Sequence, residues 1–322
     1  NYRNKLTLPV RYPHRIGFFR AESHSVIEIT DCMLQNFDCK SIIAALKEFI
    51  DRSGLFGYDE ESGSGDIRHI SVRKLGGKYC VCLVATRDIS KLLDPFCKTL
   101  ENLFGESFSL WLNINTKKTN VVFSDEFVYI GGKATETEIS GLKISPHPSA
   151  FFQVNDYVRE KLYSAALEEI QGFNTVIDAY SGAGILSALS ARFAENVVAV
   201  EINEKAHNAA LSLAKNNGVK NLTCVCGDCA VELEKILSRT GGGNNVAVVL
   251  DPPRSGIDAR AAQAVISAKP QKVVYISCNA ATLARDLKIL SESYEINFIR
   301  PFDMFPQTPS LEILVSLNLK KI

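Results

Sequence analysis

A thiol, two carboxylates and a glycine turn carry the chemistry that can be read from this chain. Cys278 stands where a strand-like run, Lys272-Val-Val-Tyr-Ile-Ser277, stops and a helix-like segment opens near Ala281. The carboxyl end of a buried strand is where open α/β sheets bind their ligands. Cysteine is a strong nucleophile even when only partly ionised. Asp251 closes the apolar run Val246–Leu250 and begins Asp-Pro-Pro-Arg254. Glu312 lies between Leu311 and Ile313 in another apolar run, where a carboxylate must find a reason to be.

Asp178-Ala-Tyr-Ser-Gly-Ala-Gly184 is a strand end followed by a turn that glycine opens to close approach by a ligand. The helix that follows offers its N-terminus to polar or negative groups. Glu201 ends the next strand, about twenty residues on, where an acidic side chain accepts the hydroxyls of an adenosine ribose. Asp228 ends the third strand and Asp251 the fourth. The plain alternative for Glu201 and Asp228 is helix capping. A dinucleotide fingerprint requires a third glycine, and Ser187 stands there.

These residues need elements to position them. From Thr175 onward, strands alternate with helices: Val176–Tyr180, a helix from Gly182 to about Ala194, Val197–Glu201, Glu204–Asn216, Thr223–Cys226, Cys229–Ser238 and Val246–Leu250. Such alternation implies a parallel sheet with right-handed crossovers. Residues 1–145 read instead as an α+β domain with an antiparallel sheet. Its expected strands are Arg15–Phe19, Val26–Ile29, Asp66–Lys74, Tyr79–Thr86, Ser107–Asn115 and Val121–Phe123, with a hairpin through Leu-Gly-Gly-Lys. Apolar spacing predicts helices over Ser41–Arg52 and Ile89–Phe104. Pro146 and Pro148 break regular structure, and a helix follows over Tyr157–Gln171. Two domains are therefore expected, 1–145 and 146–322.

Composition sets outer bounds. The 322 residues carry 36 basic and 36 acidic side chains, which excludes a uniformly cationic coat but not a local basic face. No apolar run reaches the roughly 18 residues of a membrane span. Nine cysteines, an odd number in mostly apolar contexts, point to a reduced, cytoplasmic protein. A monomer is expected.

Asp251-Pro-Pro-Arg-Ser-Gly256, Ile276-Ser-Cys-Asn-Ala-Ala-Thr-Leu-Ala-Arg-Asp286 and Pro301-Phe-Asp-Met-Phe-Pro-Gln-Thr-Pro-Ser-Leu-Glu312 resemble the RNA uracil-5-methyltransferase family. Members make 5-methyluridine in tRNA or 23S ribosomal RNA. Phe151-Phe-Gln-Val-Asn155 is a further match. The likeness is strong from about Ser149 to the C-terminus and looser around Tyr2–Lys5 and Cys32.

The resemblance implies a Rossmann-like class I methyltransferase domain that uses S-adenosylmethionine. Its substrate would be an RNA uridine splayed out of its loop, in 23S rRNA rather than tRNA. Cys278 would be the nucleophile at uracil carbon 6, Glu312 the general base for the carbon 5 proton, and Asp251 an orienting group. Gln153, Tyr180, Gly182, Gly184, Glu201, Asp228 and Asp251 would hold the cofactor.

Some members bind a [4Fe-4S] cluster, and Cys32 resembles its fourth ligand; the other ligands would lie upstream of Asn1. Many members carry a histidine where this chain has Ser310, and some place a polar residue where it has Ile185, which is therefore left out of the site. Arg285 and Lys288 are read either as phosphate contacts or as a solvated face. An RNA cytosine-5 methyltransferase would carry a second cysteine after Asp-Pro-Pro, and an amino-group methyltransferase an aromatic residue. Arg254 occupies that place. Intact Cys278 and Glu312 argue against a catalytically silent RNA-binding relic.

Overall fold

The computed structural model describes residues 1–240 and 245–321. Two compact units emerge, Asn1–Ile139 with Ile144–Ser149, and Ser140–Lys143 with Ala150–Ile322.

The first unit contains strands β1 (Lys5–Arg11), β2 (Arg15–Phe19) and β3 (Val26–Glu28), then helix α1 (Cys39–Ser53). Strands β4 (Ile67–Leu75) and β5 (Lys78–Ala85), helix α2 (Asp94–Phe104), and strands β6 (Phe108–Ile114) and β7 (Phe127–Gly132) follow. They form one sheet in the order β3-β2-β1-β4-β5-β6-β7. Its pairings are antiparallel except β5 with β6, which run parallel because α2 supplies the crossover between them. Leu46, Phe96, Leu83 and Leu110 lie in the core between helices and sheet.

Three local expectations change. Strand β1 is an addition to the expected strands, and it contains Pro9, which a strand interior disfavours. The residue sits at a changeover: β1 pairs with β4 through Pro9 and with β2 from Val10 onward. Val121–Phe123 is irregular rather than a strand. Side chains replace the ladder there: Asn115 donates to the carbonyls of Val121 and Val122, and Arg68 donates to those of Asn115, Lys117 and Thr119. The helix expected over Ile89–Phe104 divides into a 3-10 turn (Ser90–Leu92) and α2, with Pro95 in the first turn of α2, where its missing N–H costs nothing.

Strands β8 (Thr137–Ile139) and β9 (Leu142–Ile144) come next in the chain. The second unit then runs α3 (Asp156–Ile170), β10 (Thr175–Ala179), α4 (Ile185–Ser190), β11 (Asn196–Glu201), α5 (Glu204–Asn216), β12 (Leu222–Cys226) and α6 (Cys229–Arg239). It ends with β13 (Val246–Leu250), α7 (Ala259–Ala268), β14 (Lys272–Ser277), α8 (Ala280–Leu290), β15 (Tyr294–Phe302) and β16 (Glu312–Leu319). The sheet order is β12-β11-β10-β13-β14-β16-β15. The first five strands are parallel. All five residues of β13 are buried, as expected for a strand covered on both faces. Helix α4 is shorter than its apolar pattern suggested and ends at Ser190, whose hydroxyl donates to the Leu186 carbonyl.

Strand β16 enters between β14 and β15 and runs antiparallel to both. Ser277 pairs with Ile313, and Phe302 with Glu312. Leu314 anchors this strand; it is fully buried in a cluster with Ile276, Phe302 and Met304. Leu314→Ala should therefore destabilise the protein by about 2–5 kcal/mol, the cost of a cavity in a packed core. Urea unfolding monitored by fluorescence or circular dichroism measures it, and a loss below about 1 kcal/mol would show that β16 is not held by this contact.

Candidate active site

Register brings the reactive side chains to one rim. Ala179 pairs with Leu250, Leu250 with Tyr275, and Ser277 with Ile313. Strands β10, β13 and β14 thus end at the rim where β16 begins. Cys278 follows β14 by one residue and Glu312 is the first residue of β16. Opposed residues of antiparallel strands have Cα atoms about 4.5–5.5 Å apart. Asp251 leaves β13 at the same level, its N–H 3.4 Å from the Ala179 carbonyl. A cavity of about 400 Å³ opens there, lined by Gln153, Tyr180, Gly182, Asp251, Cys278 and Glu312 among others.

The glycine turn forms one wall. Tyr180 adopts φ 64°, a left-handed conformation that costs free energy in a non-glycine residue and recurs at functional sites. Ser181 N–H donates to the Val200 carbonyl at 3.0 Å, which stitches the turn to β11. Gly182 N–H donates to Glu201 Oε2 at 2.9 Å, and Asn203 N–H to Oε1 at 2.7 Å. A carboxylate has about four acceptor positions, so Glu201 retains two for further donors. A side chain at Gly182 would meet open space, whereas a Cβ at Gly184 would lie 2.7 Å from that of Ala210. Gly184 serves the packing of α4 on α5 and does not line the cavity. Neither does Asp228, an exposed N-cap that accepts from Ala230 and Val231 N–H. Ile185, which its type argued out of the site, lines the cavity.

Burial sets the protonation chemistry. Asp178 lies behind the turn, accepts from the Ser187 hydroxyl, and is pushed up to about 7 by burial and by Glu201 nearby. Asp251 is raised well above the carboxylate range by burial, then by Glu312 and Asp178. Glu312, 4% exposed, is raised to about 7 by burial, with Arg254 acting in the opposite direction. The Cys278 thiol is raised by burial and by Glu312, again opposed by Arg254. A carboxyl that changes charge near neutrality beside a thiol can move protons in both directions.

Sequence reasoning missed other lining residues. Tyr163 projects from α3, and burial together with Asp251 holds its phenol neutral. Phe305 also lines the cavity, as does Ser310 in the place of the family's histidine. Helical spacing in α3 was the available signal for Tyr163, but it distinguishes buried from exposed rather than core from cavity. Arg285 and Asp286 were not assigned a structural partner from sequence; both grip the Asp251–Ile257 segment.

Cys32 lies in the first unit. Its N–H donates to Asp31 Oδ1 at 2.7 Å and to Cys39 Sγ at 3.1 Å. Among the described residues no group of three or more His, Cys, Asp or Glu side chains is arranged to hold a metal. A four-thiolate cluster does not fit the residues present, and no step of the chemistry is assigned to one.

The tRNA (uracil-5-)-methyltransferase family model matches residues 69–320. An uncharacterized RNA methyltransferase of Clostridium acetobutylicum is 37% identical over 98% of this chain and 70% of its own length. Another, from Listeria innocua, is 36% identical over 99% of this chain and 72% of its own. The crystal structure of the Pyrococcus abyssi tRNA (uracil-54, C5)-methyltransferase with S-adenosyl-L-homocysteine superposes with a TM-score of 0.82. It is 27% identical and covers 98% of this chain and 76% of that one. The turn, the free acceptor positions of Glu201 and the adjoining cavity suit an adenosine-bearing cofactor, and the second unit has the class I methyltransferase fold. On this evidence the chain belongs to the tRNA (uracil-5-)-methyltransferase family, whose members are S-adenosylmethionine-dependent RNA methyltransferases.

Proposed function

We propose that this protein methylates carbon 5 of a specific RNA uridine through a covalent adduct on Cys278. The supporting observation is the placement of Cys278 and Glu312 on adjacent strand ends in one cavity with Asp251 and the glycine turn. S-adenosylmethionine supplies an electrophilic methyl group; Gln153, Tyr180, Gly182 and Glu201 would hold it. Asp228, which follows β12 outside the cavity and caps α6, would meet the adenine edge with its carboxylate or the neighbouring backbone.

Carbon 5 of uracil is a weak nucleophile. The Cys278 thiolate adds to carbon 6, forming a C–S bond and moving the ring's electron pair to an enolate. Carbon 5 then accepts the methyl group and still carries its hydrogen. Glu312 removes that proton, the C5–C6 double bond re-forms, and the C–S bond breaks to return the thiolate. Asp251 orients the ring at the end of β13. The uridine must leave its stack to reach the cavity, at a cost that is smallest in a single-stranded loop.

The substrate we assign is 23S rRNA. A tRNA uridine is the second reading, favoured by the solved relative, which acts on tRNA uracil-54. All nine cysteines are free, which supports a reducing, cytoplasmic setting.

RNA carrying 5-fluorouridine should form a covalent complex, because fluorine cannot leave carbon 5 as a proton. Denaturing gels would show the complex with the wild type and lose it in Cys278→Ala; no adduct on both 23S rRNA and tRNA substrates would sink the mechanism. Glu312→Gln should instead accumulate the adduct on ordinary uridine.

Turnover should fall as pH drops below about 7, since Glu312 must lose its proton to act as base and its pKa is raised to that range. A flat kcat profile from pH 5.5 to 7.5 would remove Glu312 from that role. Glu201→Gln should weaken S-adenosylmethionine binding about tenfold in calorimetry, the worth of hydrogen bonds to a charged acceptor. Unchanged affinity would place the ribose elsewhere.

A further inference from the structure

Asp286 is fully buried, and a buried carboxylate is costly unless donors surround it. Here they do. Tyr275 Oη donates to Oδ2 at 2.6 Å and Ile257 N–H at 2.9 Å. The Arg285 guanidinium donates to Oδ1 through Nε at 2.8 Å, with Nη2 2.7 Å away. The same Nη2 reaches the carbonyls of Ser255 (2.8 Å) and Ile257 (3.2 Å).

The segment between them is shaped to fit. Gly256 adopts φ 77°, and a Cβ there would lie 2.3 Å from Asp286 Oδ2 and 2.6 Å from Arg285 Nη2. Higher on the same helix, the Asn279 amide and the Thr282 hydroxyl both donate to the Arg254 carbonyl at 3.2 Å. Helix α8, which starts two residues after Cys278, therefore grips the loop after Asp251 at Arg254, Ser255 and Ile257.

The loop carries Arg254, the one cation among the described lining residues of the cavity. The groups facing Cys278 there are Glu312 and Asp251, both acidic, and Arg254, which opposes them. Hydrophobic side chains would bind a loop to a helix at lower cost than a buried ion pair. The polar clamp adds direction: a planar fork fixes two carbonyls and one carboxylate at once.

We infer that Arg285 and Asp286 are positioning residues that hold Arg254 beside Cys278 and Glu312, so that helix α8 carries both the nucleophile's setting and the cation that serves it. They touch no reacting atom and act through the loop. The inference rests on the reading of Cys278 as nucleophile.

The test is Arg285→Ala, with Arg285→Lys beside it. Arg285 is half exposed, so its loss leaves the core filled. The pH dependence of Cys278 alkylation by iodoacetamide, followed by peptide mass spectrometry on the protein alone, should move upward by about half a unit or more in Arg285→Ala. Turnover on the methyl-accepting RNA should fall roughly 10–100-fold at saturating substrates. S-adenosylmethionine affinity should stay near wild type, whereas the melting temperature should fall, because buried Asp286 keeps Tyr275 and Ile257 as donors but loses its charged partner. Arg285→Lys should lie between, since an ammonium restores the charge but not the fork.

An unchanged alkylation profile overturns the inference, whatever turnover does. So does unchanged turnover in an active background, and so does a fall in turnover matched by an equal loss of cofactor affinity. If the wild type methylates neither 23S rRNA nor tRNA while the alkylation profile still moves, the clamp stands and the uracil reading fails.

Discussion

Strand β16 runs against its neighbour β14, and the site depends on that reversal. In a wholly parallel sheet every strand would present its carboxyl end at the upper rim. An antiparallel insertion presents an amino end there instead, and the first residue of that strand is Glu312. The register that pairs Ser277 with Ile313 leaves Cys278 and Glu312 as the next step of the ladder. A one-residue slip would turn Glu312 to the opposite face and bury the wrong side chains. Leu314 and Val315, both fully buried on opposite faces, make that slip expensive. The packing that fixes the fold therefore also fixes the spacing of the Cys278 thiol and the Glu312 carboxyl.

Three carboxyls share this rim, and burial drives the pKa of each upward. Burying three carboxyls is costly unless each is neutral or has donors. Asp178 is tolerated because Ser187 donates to it, and Asp251 lies where a ligand would meet it. A cationic ligand would lower these raised pKa values, whereas an anionic one would raise them further, so the cavity favours the cation. The sulfonium of S-adenosylmethionine is such a ligand; an RNA phosphate is not. In the proposed reaction the neutral uracil base, rather than the RNA backbone, would enter beside these groups.

Much of this was legible in the sequence, for identifiable reasons. Parallel strands buried on both faces read as plain apolar runs, so β10, β11, β13 and β14 were visible. Asp251 and Cys278, each ending such a run, do line the cavity. Glu201, singled out by spacing, accepts from Gly182 N–H in the turn. Residues whose role depends on tertiary partners were not visible. Gly184 looked like a ligand contact and is a packing contact with Ala210. Arg285 looked like a solvated or phosphate-binding residue and is bound to Asp286 and two carbonyls. Strand β1 forms across Pro9, and Val121–Phe123 has strand composition without a ladder. In each case the deciding energy comes from a residue distant in the chain.

The electrostatics of Cys278 and Glu312 also impose an order on the proposed reaction. A Glu312 charge raises the thiol, and coupling between two sites is mutual, so a thiolate raises Glu312 by the same amount. The two groups therefore resist being ionised together. With Glu312 protonated, the thiolate is easiest to form and addition to carbon 6 can begin. Once sulfur is bonded to carbon, its charge is gone and so is its effect on Glu312. The carboxyl can then ionise and take the carbon 5 proton. Holding that proton, Glu312 is neutral again, which makes room for the thiolate to return at elimination. Each step removes the obstacle to the next, and Arg254 opposes the rise of both groups. Water screens such a pair most strongly; the burial of Glu312 leaves less solvent to weaken the effect of one charge on the other.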